Sequence, residues 1–318
     1  MKLLVTGGAG FIGSHFVDLA LSSRPEWEVT VLDALTYAGD VRNLDRARQH
    51  HGFRFVEGDV AGGPATERLL GQVDQVVNFA AESSVDRSIR DSEGFVRTNV
   101  EGTRALLDAC RVQGVPLLQV STDEVYGSTA GGEATDEAFT EDDPLRPGNP
   151  YAATKAAADL LCTACHRTFG MDVRILRGAN AFGPRQHREK AIPTFAVAAL
   201  RGDPVPVYGD GSHRRAWLAV DDFVRAAMTV IDEGQSGEIY NAGGGTEIAN
   251  LDLARTICRL AGADDSLIGF VDDRPGHDFR YAMDWTRIAA LGWKPEADFH
   301  ETLAITVAWY REHPERWG

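Results

Sequence analysis

Two short stretches of the sequence carry side chains that could do acid–base chemistry. An apolar run over residues 116–120 leads into two adjacent carboxylic residues, Asp123 and Glu124. Downstream, Tyr151 and Lys155 lie four residues apart, so a helix would place them on one face. An ammonium beside a phenol favours the phenolate, and we therefore expect Lys155 to lower the pKa of Tyr151. An acid, a base and an activated phenol would form a catalytic centre if the fold brings them together.

The start of the chain predicts a dinucleotide site. A short apolar run over residues 2–6 is followed by a Gly-x-x-Gly-x-x-Gly turn and then by a helical pattern. In such a turn the glycines permit a sharp bend, close approach to a pyrophosphate and tight helix–strand packing, and the helix N-terminus offers free N–H groups to the phosphates. We predict that a cofactor contacts Gly7, Gly10, Phe11, Ile12 and Gly13.

Acidic residues after the next two apolar runs indicate which cofactor this is. The run over residues 28–32 ends at Asp33, whose carboxylate would accept hydrogen bonds from an adenosine ribose and repel a 2′-phosphate. This predicts NAD rather than NADP, although Asp33 could instead cap a surface loop. Asp59, after the third run, could accept a hydrogen bond from the adenine amino group. Further cofactor candidates are Val60, Ala80 and Ala81.

Strands that alternate with helices predict an α/β fold, a doubly wound parallel sheet of the Rossmann type with a smaller C-terminal α/β substrate lobe. We expect residues 1–178 to form an NAD-binding domain. Residues 179–318 would mainly form a lobe that binds the substrate, with some chain crossing back to the first domain. Sites in such sheets lie at the carboxyl ends of the strands, so the candidate residues should line one crevice.

Bulk properties exclude several classes of function. The net charge of −15 over 318 residues argues against non-specific nucleic-acid binding, and no apolar run approaches the length of a membrane span. We expect a cytoplasmic protein, because no signal-peptide pattern precedes the first strand and the four cysteines are scattered. Cys162, Cys165 and His166 lack a second ligand pair at zinc-site spacing, so no metal site is predicted.

These motifs together resemble those of the extended short-chain dehydrogenase/reductase family of nucleotide-sugar enzymes. The glycine turn and the Tyr-x-x-x-Lys pair are the general signature of that family. The Thr-Asp-Glu triplet at residues 122–124 and the Arg-Pro-Gly-His-Asp run at residues 274–278 resemble those of its dTDP-glucose 4,6-dehydratases. The matching pieces span almost the whole chain.

The resemblance implies a reaction and a role for each catalytic candidate. Tyr151, beside Lys155, would take the proton of the glucose C4 hydroxyl while the C4 hydride passes to NAD, and Thr122 would hydrogen-bond near that oxygen. Glu124 would remove the C5 proton, and protonated Asp123 would give a proton to the departing C6 hydroxyl. Hydride return to C6 gives the 4-keto-6-deoxy sugar nucleotide. A carboxyl pair can divide these roles because the two charges repel each other.

The resemblance also implies a substrate site and an assembly. The partners expected are a nucleotide-sugar substrate and a second copy of the chain in a homodimer. A basic segment at residues 185–190 could be a wall for a phosphorylated substrate or a solvated loop, and Arg214, Arg215 and Arg274 could hold a diphosphate. The substrate-binding candidates are Ser83, Asn180, Lys190, Arg215, Asn250, Arg274 and His277.

The chain departs from the family pattern on the substrate side, and two other functions remain open. The family's Asn-Val-Arg-x-Trp stretch is His-Arg-Arg-Ala-Trp at residues 213–217, and the positions that differ include Ala181, Arg185, His213 and Ala219. One alternative is a nucleotide-sugar 4-epimerase or decarboxylase that uses only the oxidation at C4. The other is a non-catalytic NAD-binding sensor.

Overall fold

The computed structural model describes residues 1–62, 64–129 and 138–317 of the chain. The strands, in chain order, are β1 (Lys2–Thr6), β2 (Glu28–Asp33), β3 (Phe53–Glu57), β4 (Gln75–Asn78), β5 (Leu117–Thr122), β6 (Val173–Gly178), β7 (Asn180–Phe182), β8 (Val205–Tyr208), β9 (Arg214–Ala219), β10 (Ile239–Ala242), β11 (Thr246–Ala249) and β12 (Ile268–Val271). The α-helices are α1 (Phe11–Ser23), α2 (Pro64–Leu70), α3 (Val85–Arg90), α4 (Glu93–Phe95), α5 (Thr103–Gln113), α6 (Pro150–Phe169), α7 (Ala191–Arg201), α8 (Val220–Glu233), α9 (Asn250–Ala261), α10 (Thr286–Ala289) and α11 (Phe299–Glu312).

The main sheet confirms the predicted doubly wound topology. Its seven strands run in the order β10-β6-β5-β4-β1-β2-β3, and every neighbouring pair is parallel. The chain leaves β1 toward one edge through β2 and β3, then crosses back to β4 and continues through β5 and β6 to the other. The crevice at this reversal is where sheets of this type bind ligands. The seventh strand, β10, comes from the C-terminal part of the chain and pairs with β6.

A smaller lobe follows β6. It contains the three-stranded sheet β11-β9-β7 and the parallel pair β12-β8, with α7, α9 and α11 packed around them. Its buried core includes Phe182, Ile192, Leu253 and Leu303. The two lobes do not correspond strictly to the two halves of the chain, because Phe223 and Val224 of α8 belong to the core that surrounds β1.

Local sequence explains how α6 is held. The Asn149 side chain accepts a hydrogen bond from the Ala152 N–H at 2.9 Å, and Pro150 occupies the first helical position, where its missing N–H costs nothing. The helix ends at Gly170, which adopts a left-handed conformation at φ 65°. These two signals fix the register of Tyr151 and Lys155 on the helix.

The sequence pattern of residues 91–112 favours one continuous helix, but the structure interrupts it. Residues Val96–Gly102 form a π-helical segment, and Asn99 within it has 1% of its surface exposed. The Asn99 amide bonds both the N–H and the carbonyl of Glu82, at 2.9 and 3.0 Å, and donates to the Thr154 hydroxyl at 2.9 Å. The interruption therefore ties the loop after β4 to α6. In the described part of the chain, no helix has the length and apolar character needed to cross a membrane.

Candidate active site

A crevice of about 480 Å³ opens at the carboxyl edge of the main sheet, between the two lobes. This volume is within the usual range for small-molecule sites. The catalytic, cofactor-binding and substrate-binding candidates named from the sequence all line it. They are Gly7, Gly10, Phe11, Ile12, Gly13, Asp33, Asp59, Val60, Ala80, Ala81, Ser83, Thr122, Asp123, Glu124, Tyr151, Lys155, Asn180, Lys190, Arg215, Asn250, Arg274 and His277.

The glycine turn forms one end of the crevice and tolerates no side chain at two positions. Gly7 has φ 67°, and a Cβ there would lie 2.6 Å from the backbone nitrogen of Ala80. A Cβ on Gly13 would lie 2.4 Å from the Gly7 carbonyl oxygen. These contacts are shorter than atoms permit, so the close approach of β1, β4 and α1 requires glycine. The N-terminus of α1 opens beside this cradle, as a pyrophosphate site needs.

At the cofactor end of the crevice, the carboxylates of Asp33 and Asp59 already accept hydrogen bonds from other groups of the protein. Asp33 accepts hydrogen bonds from the N–H groups of Ala9 and Leu35, each at 2.8 Å. Burial raises the pKa of Asp33, and these two bonds oppose the rise. Asp59 accepts from its own loop and pairs with exposed Arg97 at 2.8 Å. Each carboxylate oxygen can accept more than one hydrogen bond, so lone pairs remain for a ligand.

The acidic pair lies where β5 passes into a short 3₁₀ helix, Asp123–Tyr126. The Thr122 hydroxyl donates to Asp123 Oδ1 at 3.1 Å and accepts from the Glu124 N–H at 3.3 Å. Asp123 is 3% exposed, and its Oδ2 has no hydrogen-bond partner among the described residues. Burial, and then the charge of Glu124, raise the pKa of Asp123 to about 7. Asp123 can therefore keep its proton near neutral pH.

Glu124 differs from its neighbour because it is only half-buried and has a donor. The side-chain amide of Asn149 donates to Glu124 Oε2 at 3.2 Å. Asn149 also caps α6, so one residue connects the carboxylate to the helix that carries Tyr151. Asn149 was not among the residues predicted from the sequence, although an asparagine before a proline at a helix start is a recognisable signal.

The prediction that Lys155 lowers the pKa of Tyr151 is wrong for the protein alone. Burial, and then the charge of Glu124, raise the pKa of Tyr151, while a hydrogen bond with Thr122 opposes the rise. The Lys155 ammonium instead donates to the Val120 carbonyl at 2.7 Å, and burial lowers the pKa of Lys155. The phenol therefore keeps its proton until another positive charge enters the crevice.

A buried polar network beneath the acidic pair was not predicted. Arg177 donates to Asp159 at 2.9 Å and to the Tyr126 hydroxyl at 2.7 Å, and this hydroxyl donates to Asn241 at 2.8 Å. The side chains of Arg177 and Asp159 are 3% and 1% exposed. Because Tyr126 is the last residue of the 3₁₀ helix that begins at Asp123, the network fixes that helix against the sheet. Polar residues that pair across distant strands leave no local sequence signal.

Cationic and polar groups form the opposite end of the crevice. Lys190 donates to the Ser83 carbonyl at 2.6 Å, which joins the two lobes. Arg274 pairs with Asp86 at 3.5 Å. The guanidinium of Arg215 donates to backbone carbonyls of residues 278 and 279 at 2.8 and 3.0 Å.

Three basic residues predicted to face a phosphorylated substrate point elsewhere. Arg185 bonds Asp18 and the Asn43 carbonyl, each at 2.9 Å, and Arg188 donates to the Trp317 carbonyl at 3.0 Å. Arg214 pairs with Glu247 at 2.6 Å. None of these three arginines is among the described residues that line the crevice, so a substrate contact is wrong for them, although His187 and Lys190 of the same segment do line it. They form contacts within or between lobes.

Several buried polar atoms on crevice-lining residues lack hydrogen-bond partners among the described residues, as expected beside a ligand-binding site. In the described residues, atoms without a hydrogen bond include Ser121 Oγ, Asp123 Oδ2, Asn180 Nδ2, Trp217 Nε1 and Arg274 Nε, all on crevice-lining residues. Unpaired buried polar atoms are rare because each costs about 1–3 kcal/mol. Donors and acceptors on a bound ligand would satisfy them.

The parallel sheet, the glycine turn and the Tyr-x-x-x-Lys helix beside it define a protein of the short-chain dehydrogenase/reductase type. The family model for GDP-mannose 4,6 dehydratase matches residues 4–306, and the chain belongs to that family.

Individual relatives agree with this assignment. The chain is 50% identical to the dTDP-glucose 4,6-dehydratase of Streptomyces griseus over 99% of this chain and 95% of the relative. It is also 50% identical to the low-salt glycan biosynthesis protein Agl12 of Haloferax volcanii, covering 98% of each chain. Among solved structures, the dTDP-glucose 4,6-dehydratase DesIV of Streptomyces venezuelae, with NAD and TYD bound, superimposes with a TM-score of 0.96 at 47% identity over 100% of this chain and 99% of that one. The family resemblance inferred from sequence is confirmed.

Proposed function

We propose that this protein is an NAD-dependent dehydratase that converts a nucleoside-diphosphate glucose, dTDP-glucose, to the corresponding 4-keto-6-deoxy sugar nucleotide. The observation that carries the proposal is the state of Asp123, a buried carboxyl on the crevice lining whose pKa is raised to about 7 and whose Oδ2 has no hydrogen-bond partner among the described residues. Elimination of water needs such a neutral acid for the departing oxygen. An epimerase or decarboxylase that works only through C4 oxidation has no use for it.

The neighbouring residues divide the proton transfers. Glu124 would take the C5 proton once C4 is a ketone, because a carbonyl makes the adjacent C–H acidic. Asp123, whose pKa is raised by burial and then by the charge of Glu124, would protonate the C6 hydroxyl as it leaves. The Asn149 amide would hold Glu124 in place during this exchange.

The chemistry at C4 would use the phenol. Tyr151 would accept the C4 hydroxyl proton, with the Thr122 hydroxyl as its hydrogen-bond partner. Bound NAD would supply the hydride acceptor for C4 and the hydride donor for C6, and its oxidised ring carries a positive charge. That charge opposes the effects of burial and Glu124, which otherwise keep the phenol protonated.

The cofactor and the substrate would take opposite ends of the crevice. The cradle at Gly7 and Gly13 fits a pyrophosphate, and Asp33, beside it, favours a ribose without a 2′-phosphate. NAD would be held by Gly7, Gly10, Phe11, Ile12, Gly13, Asp33, Asp59, Val60, Ala80, Ala81, Tyr151 and Lys155. The nucleotide sugar would be held by Ser83, Asn180, Lys190, Arg215, Asn250, Arg274 and His277. In this proposal, residues 1–178 form the NAD-binding domain and residues 179–318 mainly form the lobe that binds the nucleotide sugar, with β10 returning to the first domain.

A substrate panel tests this function. The protein is incubated separately with dTDP-glucose, UDP-glucose, GDP-mannose and amino-sugar analogues, and each product is analysed by mass spectrometry. We expect loss of one water, fastest with dTDP-glucose. A product of unchanged mass but altered stereochemistry would indicate an epimerase instead. If no substrate reacts and Tyr151→Phe binds NAD as the wild type does, the sensor function would replace the proposal.

We further propose that the protein acts as a homodimer in the cytoplasm. Helices α5 and α6 pack side by side and expose Val112 at 72%, Leu160 at 60% and Phe169 at 57%. Exposed apolar side chains on adjacent helices are typical of an interface. The free cysteines support a reducing compartment.

Light scattering with a matched control tests the dimer. We expect Leu160→Glu to give a monomer, because it places a charge in the proposed interface. Ile305→Glu, at a site that is 54% exposed on α11, should leave the mass unchanged. Equal masses for the two variants would contradict this interface.

A further inference from the structure

Three side chains outside the proposed catalytic centre converge at the substrate end of the protein. His213 Nε2 lies 3.3 Å from Asp273 Oδ2, and His277 Nδ1 lies 2.6 Å from Asp273 Oδ1. The two imidazole rings stack with their centroids 3.9 Å apart and an interplanar angle of 15°. Each of the three residues offers one possible ligand atom, and these atoms all lie within 4.8 Å of one another. Both rings are largely buried, with side-chain exposures of 12% and 5%.

We propose that His213, Asp273 and His277 bind a divalent transition-metal ion, with Zn²⁺ as the preferred member of that class. Imidazole nitrogens and a carboxylate oxygen are the ligands that Zn²⁺ takes in three-residue protein sites, at about 2.0–2.2 Å. Ligand atoms around such an ion lie roughly 3–4 Å apart, so a small rotation of the stacked rings brings all three into position. The proposed fourth position is filled by water or an external ligand.

A second observation supports a ligand at this cluster. His213 Nδ1 is buried and has no hydrogen-bond partner among the described residues, so no bond at Nδ1 fixes the ring in its present orientation. Asp273 and His277 alone provide only two ligands, so His213 is the residue that completes the site.

Neighbouring charges set limits on the affinity. Arg215 and Arg274 both act on His277 as positive charges, and positive charges oppose a bound cation. The Asp273 carboxylate attracts it, and the arginines already have partners in the Asp278 carbonyl and in Asp86. We therefore expect a dissociation constant of about micromolar order, which is weaker than that of structural zinc sites.

Occupation of the site has a consequence for the proposed function, on which this step rests. His277 and Arg274 line the crevice, whereas His213 and Asp273 are not among the described lining residues. A metal ion bound to His277 prevents the His277 imidazole from contacting the nucleotide sugar and places a hydrated cation beside the crevice wall. Zn²⁺ and the nucleotide sugar therefore exclude each other, and Zn²⁺ raises the KM without changing kcat.

Calorimetric titration of metal-free, full-length protein with ZnCl₂, without substrate, tests the site itself. The wild type should bind one ion per chain at this site. His213→Asn and Asp273→Asn should each weaken binding by about tenfold or more, or about 1.4 kcal/mol. His51→Gln is the matched control, because His50 and His51 form the other stacked histidine pair, at 4.6 Å, and it should leave the affinity unchanged.

Two results would overturn the proposal. One is no Zn²⁺ binding by the wild type, and the other is wild-type affinity in His213→Asn and Asp273→Asn, whatever His51→Gln does. Melting temperatures of all variants identify any loss that comes from unfolding. Because the titration contains no substrate, its outcome is independent of whether the protein is a dehydratase. In the kinetic arm, His213→Asn should keep its uninhibited rate and lose Zn²⁺ inhibition; equal inhibition of both proteins would contradict the exclusion.

Discussion

Replacing Asp123 with asparagine separates the two proton transfers that the crevice is proposed to perform. The amide keeps the size of the side chain and an oxygen that can accept the Thr122 bond, but it has no proton to give to the C6 oxygen. General acids contribute about 10²- to 10⁴-fold to such steps, so water loss should slow by that factor. Glu124 is unchanged and should still exchange the C5 proton.

The pH dependence follows from the pKa of Asp123. The acid is active only when protonated, so the wild-type rate of elimination should fall as the pH rises through about 7. The variant has no group to titrate at this position and should lose that dependence. Turnover measured between pH 6 and pH 9, with water loss followed by mass spectrometry in D₂O, gives both quantities.

The same substitution should stabilise the folded protein at alkaline pH. Burial and Glu124 raise the pKa of Asp123 from 3.8 to about 7, and three pKa units correspond to roughly 4 kcal/mol. A carboxyl whose pKa is raised in the folded state lowers the free energy of unfolding as the pH rises from about 4 to about 7, because only the folded state retains the proton. An unpartnered amide NH₂ in place of Oδ2 costs about 1–3 kcal/mol.

The variant should therefore be more stable than the wild type by about 1–3 kcal/mol at pH 8 and less stable by about 1–3 kcal/mol at pH 4. Urea unfolding at both pH values measures it. Wild-type turnover in the variant, or a stability difference that does not change with pH, would refute the assignment of Asp123 as a buried neutral acid.

Three other substitutions test how the site is held. Gly7→Ala should abolish NAD binding and lower the free energy of unfolding by at least about 1–3 kcal/mol, since its Cβ meets the Ala80 backbone at 2.6 Å with φ 67°; unchanged calorimetric binding would contradict the cradle. Asp33→Asn should narrow the preference for NAD over NADP by about tenfold, because it removes the charge that repels a 2′-phosphate, and an unchanged ratio of dissociation constants would count against that role. Asp159→Asn leaves Arg177 buried without its counter-ion and should cost about 3–5 kcal/mol in chemical unfolding, whereas an exposed control, Asp108→Asn, should cost under about 1 kcal/mol.

Local sequence signals predicted the fold and the lining of the crevice well. The glycine turn, the alternation of strands and helices, and the caps of α6 each depend on residues close together in sequence. The carboxyl ends of parallel strands meet at one edge, and this rule placed distant candidates such as Asp33 and Glu124 in the same crevice. Topology thus converted short motifs into a three-dimensional expectation.

Errors arose where long-range partners decide the outcome. Tyr151 and Lys155 share a helix face, but the Lys155 ammonium donates to the Val120 carbonyl, and burial is the largest influence on the pKa of Tyr151. Arg185 was considered from the sequence as part of a substrate wall, yet it binds Asp18, which is far away in the chain. Similarly, His213 and Asp273 are neighbours only because β9 and the loop after β12 fold together. Spacing along the chain contains no information about such pairs.

The central claim is that Glu124 and Asp123 remove water across C5 and C6 of a nucleotide-linked glucose. The most direct measurement is the mass and NMR spectrum of the product formed from dTDP-glucose in D₂O. We predict loss of one water and incorporation of a single deuterium at C5, because the base that removes this proton exchanges it with solvent. A product that retains all its water, or that has lost water without deuterium at C5, would contradict the mechanism.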